Sequence, residues 1–171
     1  MKKNNYVNNK QLYLVMVDYK NNRLKCIEDN LQKPRVPDYV GKCLMLIATR
    51  LASKPSFAGY SYKDDMICDG IANCIEYIDN FDPTKSTNPF AYFTQIIKFA
   101  FLRRIEREKK QQYIKIKNLD NYDLSGESEI YEHTKVHNNE IADAFVTAFE
   151  KRLTDKKKPS KIGNTVNGFF L

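Results

Sequence analysis

Apolar side chains recur at intervals of three and four along most of this chain, and proline, glycine and polar runs divide the stretches that show this rhythm. That period lines residues along one face of an α-helix. Leu12, Val15, Met16 and Tyr19 predict a first amphipathic helix over 11–20, with Asn8 and Asn9 available to cap it. Residues 21–37 are polar and hold Pro34 and Pro37, which predicts a loop or weak helix. Asp38 is placed to cap a second helix carrying Val40, Cys43, Leu44, Ile47 and Leu51. That helix stops before Pro55, because a proline pushes the residue ahead of it out of the helical region.

A turn over 56–61 around Gly59 leads to a helix over 62–80 with Met66, Ile67, Ile71, Cys74, Ile75 and Ile78 at helical spacing. Pro83 and Pro89 bracket the next break, and the run from Phe90 to about Tyr113 then continues without glycine or proline. Residues 118–139 are polar, with Gly126, and predict a loop with at most marginal helix. Ile141, Ala144, Phe145, Ala148 and Phe149 form the stripe of a last helix ending near Leu153. Residues 154–164 are lysine-rich with Pro159 and Gly163, a linker composition, and TVNGFFL follows. No stretch alternates in the manner of a strand. The predicted class is all-α: a compact helical domain over 1–113, a polar loop and amphipathic helix over 114–153, and a flexible lysine-rich linker with a hydrophobic tail over 154–171.

Composition narrows the partners. The 171 residues, 42% of them hydrophobic, suffice for one core of ordinary size. Lys and Arg total 28 against 21 Asp and Glu, a formal charge of +7, which suits a polyanionic partner without identifying one. Cys26, Cys43, Cys68 and Cys74 form no CxxC pair, and three of them sit in apolar helical patterns, which fits a reduced, cytoplasmic setting. No apolar run approaches the roughly 20 residues that span a bilayer. The start, MKKNNYVNNK, lacks the hydrophobic region of a secretion signal, so neither membrane insertion nor export is expected. His133 and His137 lie four apart, a spacing that could place two imidazoles together. Glu132 and Lys135 beside them mark a solvated surface, and no further ligand completes a pattern. GxGxxG, GxxxxGK[ST], HExxH and GxSxG are all missing. No catalytic residue, metal site or cofactor is expected.

Asp65, Asp69, Glu76 and Asp79 fall on one side of the 62–80 helix, a pattern that by itself describes a solvated face. The sequence around them says more. Asp65-Met66-Ile67, Asp69-Gly70, Phe81-Asp82-Pro83, Tyr92, Thr94 and Ile97 resemble, without a gap, the second conserved region of bacterial sigma factors. The resemblance extends to the late-transcription sigma factors of T-even-type bacteriophages through Asn5 to Lys10, Leu44 to Ala48, Gly59-Tyr60, Asn88-Pro89, Ala91-Tyr92, Thr94-Gln95 and Arg104-Ile105. It covers roughly residues 5–110. It implies that Asp65 and Asp69 bind the clamp helices of the largest subunit of bacterial core RNA polymerase, with Ile75 as an apolar contact. Carboxylates one turn apart can each accept charge-assisted bonds from a basic partner. At the family's glutamine and asparagine contact positions stand Cys68 and Ile71.

The 90–113 helix is apolar on more than one side: Phe93, Ile97, Ala100 and Phe101 mark one face, and Tyr92, Ile96 and Phe99 another. A central helix buried all round would show this pattern, and so would one that offers a second face to unstacked bases. By the resemblance, Phe81, Lys85 and Tyr92 form the pocket for a flipped adenine of promoter DNA. Gln95 and Ile96 stand where the family has paired tryptophans at the melting edge, which implies an AT-rich promoter, where opening costs least. Phe99 and Leu102 match positions that read the upstream edge, and Arg103, Arg104 and Arg107, with Lys109 and Lys110, suit phosphate contacts.

In the phage family a short hydrophobic C-terminal motif binds the DNA sliding clamp, and Val166, Phe169, Phe170 and Leu171 resemble it. After residue 110 there is not enough helical sequence for a second promoter-reading module, and a partner such as the clamp could restore affinity through effective concentration. The expectation is a non-enzymatic phage late sigma factor in the cytoplasm of the infected bacterial host, with core polymerase, promoter DNA and the phage sliding clamp as partners and room for a phage coactivator. A polymerase-binding coactivator or inhibitor without promoter recognition is the alternative. A generic basic helical DNA-binding protein ranks behind both.

Overall fold

The structure, a computed structural model, describes residues 6–121 and 130–157. The elements are α1 (Asn9–Glu28), α2 (Asp38–Ala52), α3 (Pro55–Ala58), α4 (Lys63–Glu76), a single 3-10 turn (Ile78–Asn80), α5 (Pro89–Asn121) and α6 (Ile130–Lys157). The fold class is all-α, as the sequence predicts, and no strand occurs among the described residues. The chain divides into two compact units, Met1–Arg107 and Glu108–Leu171.

In the first unit, Leu12 and Met16 of α1, Val40, Leu44, Ile47 and Ala48 of α2, Met66 and Cys74 of α4, and Phe93, Ile97 and Phe101 of α5 close a common core. Each large side chain so buried contributes roughly 1.5–3 kcal/mol relative to exposure. Gly70 sets the α4–α5 spacing: a Cβ on it would stand 3.0 Å from Ile97 Cγ2 and 3.1 Å from Phe101 Cε1. The α5 residues Ile97 and Phe101 therefore lie directly under the α4 backbone. On the other side of the core Phe57 of α3 meets Phe101 edge-on, with ring centroids 5.3 Å apart.

Caps explain most of the boundaries. Asn8 Oδ1 accepts from the Lys10 and Gln11 amides at the start of α1. At its end Asn30 adopts φ 53°, Leu31 N–H bonds to the Cys26 carbonyl at 2.8 Å and Asn30 N–H to that of Ile27. This double-bonded close, with asparagine in the left-handed position, lets α1 run eight residues beyond Lys20 through the segment predicted as loop. Asp38 does not cap α2; Pro37 occupies that position, and the Asp38 carboxylate, already in the first turn, meets Arg35 at 3.3 Å. The turn over 56–61 is partly the one-turn helix α3, started by Pro55 in the first helical position. The predicted 62–80 helix breaks after Glu76 into the 3-10 turn.

Asn88 Oδ1 accepts the Ala91 amide and Pro89 occupies the first position of α5. That helix continues past Tyr113 because Gln111, Gln112, Lys115 and Lys117 favour helix and neither glycine nor proline interrupts them. Helix α6 likewise begins at Ile130, inside the stretch predicted as loop. In the second unit Tyr113 stacks on Phe149 with centroids 4.8 Å apart, its hydroxyl donates to Glu150 at 2.9 Å, and Phe145 stacks on Phe149. The buried stripe of α6 is Val146 with half-buried Ala142, Phe145 and Phe149, whereas Ile141, Ala144 and Ala148 are exposed. The observed stripe is thus one step out of register with the predicted one, because Ile141 is outside the ring stack that fixes the buried face.

Candidate functional site

The outward face of α4 carries Asp65, Cys68, Ala72 and Ile75, spaced at three and four residues. Met66, Gly70 and Cys74 turn inward and hold the helix down. Ile75 is 45% exposed and walls an open groove of about 500 Å³ shared with Val36, Pro37 and Lys42. This is the face the resemblance assigns to polymerase docking. Glu76 stays exposed at its end.

Asp65 and Asp69 do not stand alone. The Arg104 guanidinium reaches back from α5 and bonds Asp65 Oδ2 at 2.9 Å and Asp69 Oδ2 at 3.2 Å. Next to it Arg103 donates to Asn73 Oδ1 at 2.6 Å, while the Asn73 amide donates to the Asp69 carbonyl oxygen at 2.7 Å. Arg104, expected on DNA phosphate, is therefore committed to the α4 carboxylates.

Asp79 leaves the acidic face altogether, because α4 ends three residues before it. Its carboxylate accepts from Lys33 at 2.7 Å and from the Tyr19 hydroxyl at 3.3 Å, with Arg23 at 3.7 Å, and its carbonyl accepts from Lys20. Burial works against its charge, but the Lys33 bond and the Lys33 and Arg23 charges outweigh that and hold the carboxyl below its usual range. Asp79 thus ties the 3-10 turn to α1 and to the segment beyond it.

The outward face of α5 presents Gln95, Lys98, Phe99, Leu102, Arg103 and Arg107. Phe99 and Leu102 are exposed large apolar side chains among cations, the pairing that suits stacked bases beside phosphate. Ile96 is half-buried between the two faces. Around the loop before α5, Phe81 is a core residue 2% exposed, and its ring meets Tyr92 at 5.3 Å and Phe93 at 6.4 Å. The Tyr92 hydroxyl donates to the Tyr77 carbonyl oxygen at 2.9 Å, and burial, with a smaller effect of Cys74, raises its pKa. Phe81 and Tyr92 are brought together, whereas Lys85 is exposed and pairs with Asp82 at 3.6 Å. Asp82 also accepts from the Thr84 hydroxyl and amide, an Asx turn that shapes this loop and lowers its pKa.

Periodicity gives no sign of one cavity at the start of α5, of about 190 Å³ and lined by Tyr6, Val7, Asn9, Asn88 and Phe90. Tyr6 meets Phe90 edge-on at 5.8 Å, Arg50 lies over the Tyr6 ring at 5.3 Å, and Asn9 Oδ1 accepts the Phe90 amide at 3.1 Å. The signal lies in two separate asparagine-aromatic runs, Asn5 to Asn9 and Asn88 to Phe90, which sequence spacing does not connect. Val166, Phe169, Phe170 and Leu171 lie outside the described residues, and the side chains of His133 and His137 are also outside them. Among the described residues no three His, Cys, Asp or Glu groups gather to hold a metal, and no helix is long and apolar enough to cross a membrane. No family model and no curated protein matches the chain.

Proposed function

We propose that this chain is a late sigma factor of the T-even phage type, which docks on bacterial core RNA polymerase through α4 and holds a melted AT-rich promoter element with α5. The observation that carries this reading is the joint placement of two faces. Asp65 and Ile75 stand outward on α4 with half-buried Asp69 beside Asp65, Phe99, Leu102 and Arg107 stand outward on α5, and the two helices pack closely through Gly70. A partner bound on one face is thereby set at a fixed position relative to nucleic acid on the other.

Phosphate contacts by Arg107, and by the guanidinium nitrogens of exposed Arg103 other than the one that bonds Asn73, would position the strand, and Phe99, Leu102, Ile96 and Gln95 would meet its bases. Tyr92 over Phe81 supplies an aromatic platform beside the loop, and the cavity of Tyr6, Asn9, Asn88 and Phe90 combines ring faces with amides, the chemistry that accepts a nucleobase. The C-terminal Val166, Phe169, Phe170 and Leu171 would tether the complex to the phage sliding clamp.

The test is initiation itself: core polymerase with this protein on a short AT-rich promoter should yield transcripts with defined starts. Tyr92→Ala should preserve polymerase binding and reduce permanganate-detected opening. Deleting Phe169 to Leu171 should remove clamp-dependent stimulation while basal initiation persists. The second reading, a polymerase-bound coactivator or inhibitor, draws support from Phe81 being closed in the core and the Tyr92 hydroxyl being bonded within the protein. Polymerase binding without any defined start would select it.

A further inference from the structure

The sequence groups Arg104 with Arg103 and Arg107 as a phosphate contact, but its bonds associate it with the opposite face. Its side chain is only 18% exposed, and its two terminal nitrogens reach the carboxylates of Asp65 and Asp69, which stand one turn apart on α4. Carboxylates at that spacing repel each other, and a planar guanidinium is the side chain whose fork spans both. Asp65 keeps 59% of its side chain exposed and Asp69 34%, so each still offers acceptor surface outward.

We infer that Arg104 is a positioning residue of the α4 docking face: it holds the Asp65 and Asp69 carboxylates in one orientation, leaving the second oxygen of each to a basic partner. This rests on the proposed docking role of α4. The Arg103–Asn73–Asp69 chain of bonds braces the same turn of α4 from the adjacent position. Two carboxylates already fixed lose less side-chain freedom when a partner binds, which is how a half-buried cation can strengthen attachment to a cationic partner. Helix α5 thereby has a dual allegiance: its Arg104 side serves docking, and its outward side serves nucleic acid.

A double-mutant cycle with the full chain and bacterial core RNA polymerase tests this. Arg104→Gln should weaken binding roughly tenfold in the wild-type background, since the carboxylates then move independently. Arg104→Lys should restore only part of the loss, because one ammonium does not span both oxygens. In a chain carrying Asp65→Asn and Asp69→Asn, whose binding is already weaker, Arg104→Gln should change nothing further. An equal loss in both backgrounds would reveal a merely structural arginine and overturn the inference, as would unchanged or tighter binding by Arg104→Gln. Should Arg104→Gln lose helicity, the same cycle run with Arg104→Lys decides between these outcomes in the same way. If the Asp65→Asn, Asp69→Asn chain binds polymerase as tightly as wild type, the docking reading itself fails and the inference fails with it.

Discussion

Gly70 lies against Ile97 so closely that a Cβ on the glycine would stand 3.0 Å from Ile97 Cγ2. The second neighbour, Phe101 Cε1 at 3.1 Å, is equally confined, since both side chains are fully buried. Replacing a mid-helix glycine with alanine ordinarily stabilises by about 1 kcal/mol. Here overpacking against a stiff β-branched side chain costs roughly 1–3 kcal/mol and should win. Gly70→Ala is expected to lower stability by about 1 kcal/mol in urea titrations followed by far-UV circular dichroism, and Gly70→Leu by much more. A gain in midpoint for Gly70→Ala would mean that α5 can slide away from α4.

Asp79 supports a second prediction, on pH. Its carboxyl titrates below its usual range in the folded chain, so its contribution is complete above the unfolded value and disappears as pH falls through the folded one. Asp79→Ala should cost about 1–3 kcal/mol at pH 7, because it strands the partners of a charged acceptor. That difference should shrink progressively below pH of about 4, where the carboxyl takes up a proton in the unfolded wild-type chain before it does so in the folded one. Denaturant midpoints of both chains at pH 7 and at roughly pH 3 measure it. A penalty that is constant across this range would exclude a charge-based role.

The cysteines differ enough to report on the α4 face. Cys74 is fully buried, its thiol donates to the Phe93 carbonyl oxygen, and burial pushes its pKa up to about 12. Cys43 is buried as well, whereas Cys68 is exposed between Asp65 and Ala72. Thiolate attack at pH 8 should therefore label Cys68 rapidly and leave Cys43 and Cys74 unreacted until the chain unfolds. A bulky maleimide on Cys68 should block polymerase binding, with Cys68→Ser protecting it. Full binding by the labelled protein would remove this face from the interface.

Helix periodicity locates the cores of the longer helices of the first unit because each buries a stripe, and Leu12, Met16, Leu44, Ile47, Phe93 and Ile97 follow that rule closely. Boundaries follow less well. Beyond Tyr19, α1 exposes Leu24 and Ile27 and leaves only Lys20, Arg23 and Cys26 half-buried, a mostly polar side that apolar periodicity does not find, so only Asn30, in its left-handed conformation, marks its end. Asp79 resembles part of the acidic stripe only while helical spacing is extended beyond Glu76, and nothing local announces the 3-10 turn that redirects it. Arg104 falls in with its basic neighbours in the sequence because charge runs carry no direction. Two carboxylates that it meets in the fold are 35 and 39 residues away, a pairing fixed by how closely Gly70 lets two helices approach.

That division among the α5 arginines makes the last prediction quantitative. The affinity of a protein for duplex DNA falls with salt on a log–log slope that loses about 0.9 for each phosphate contact removed. Arg107 is exposed and Lys98, Phe99 and Leu102 precede it on the outward face, so its charge is available to a backbone phosphate. Arg104 already neutralises carboxylates within the protein, and drawing it onto phosphate would leave two negative charges uncompensated at the α4 surface. Arg107→Gln is therefore expected to lower the slope by roughly 0.9, and Arg104→Gln to leave it unchanged. Fluorescence anisotropy on a labelled AT-rich duplex between about 50 and 200 mM salt resolves a difference of that size. Equal slopes for the two variants would place both arginines on the same face and contradict the separation that the α4–α5 bonds describe.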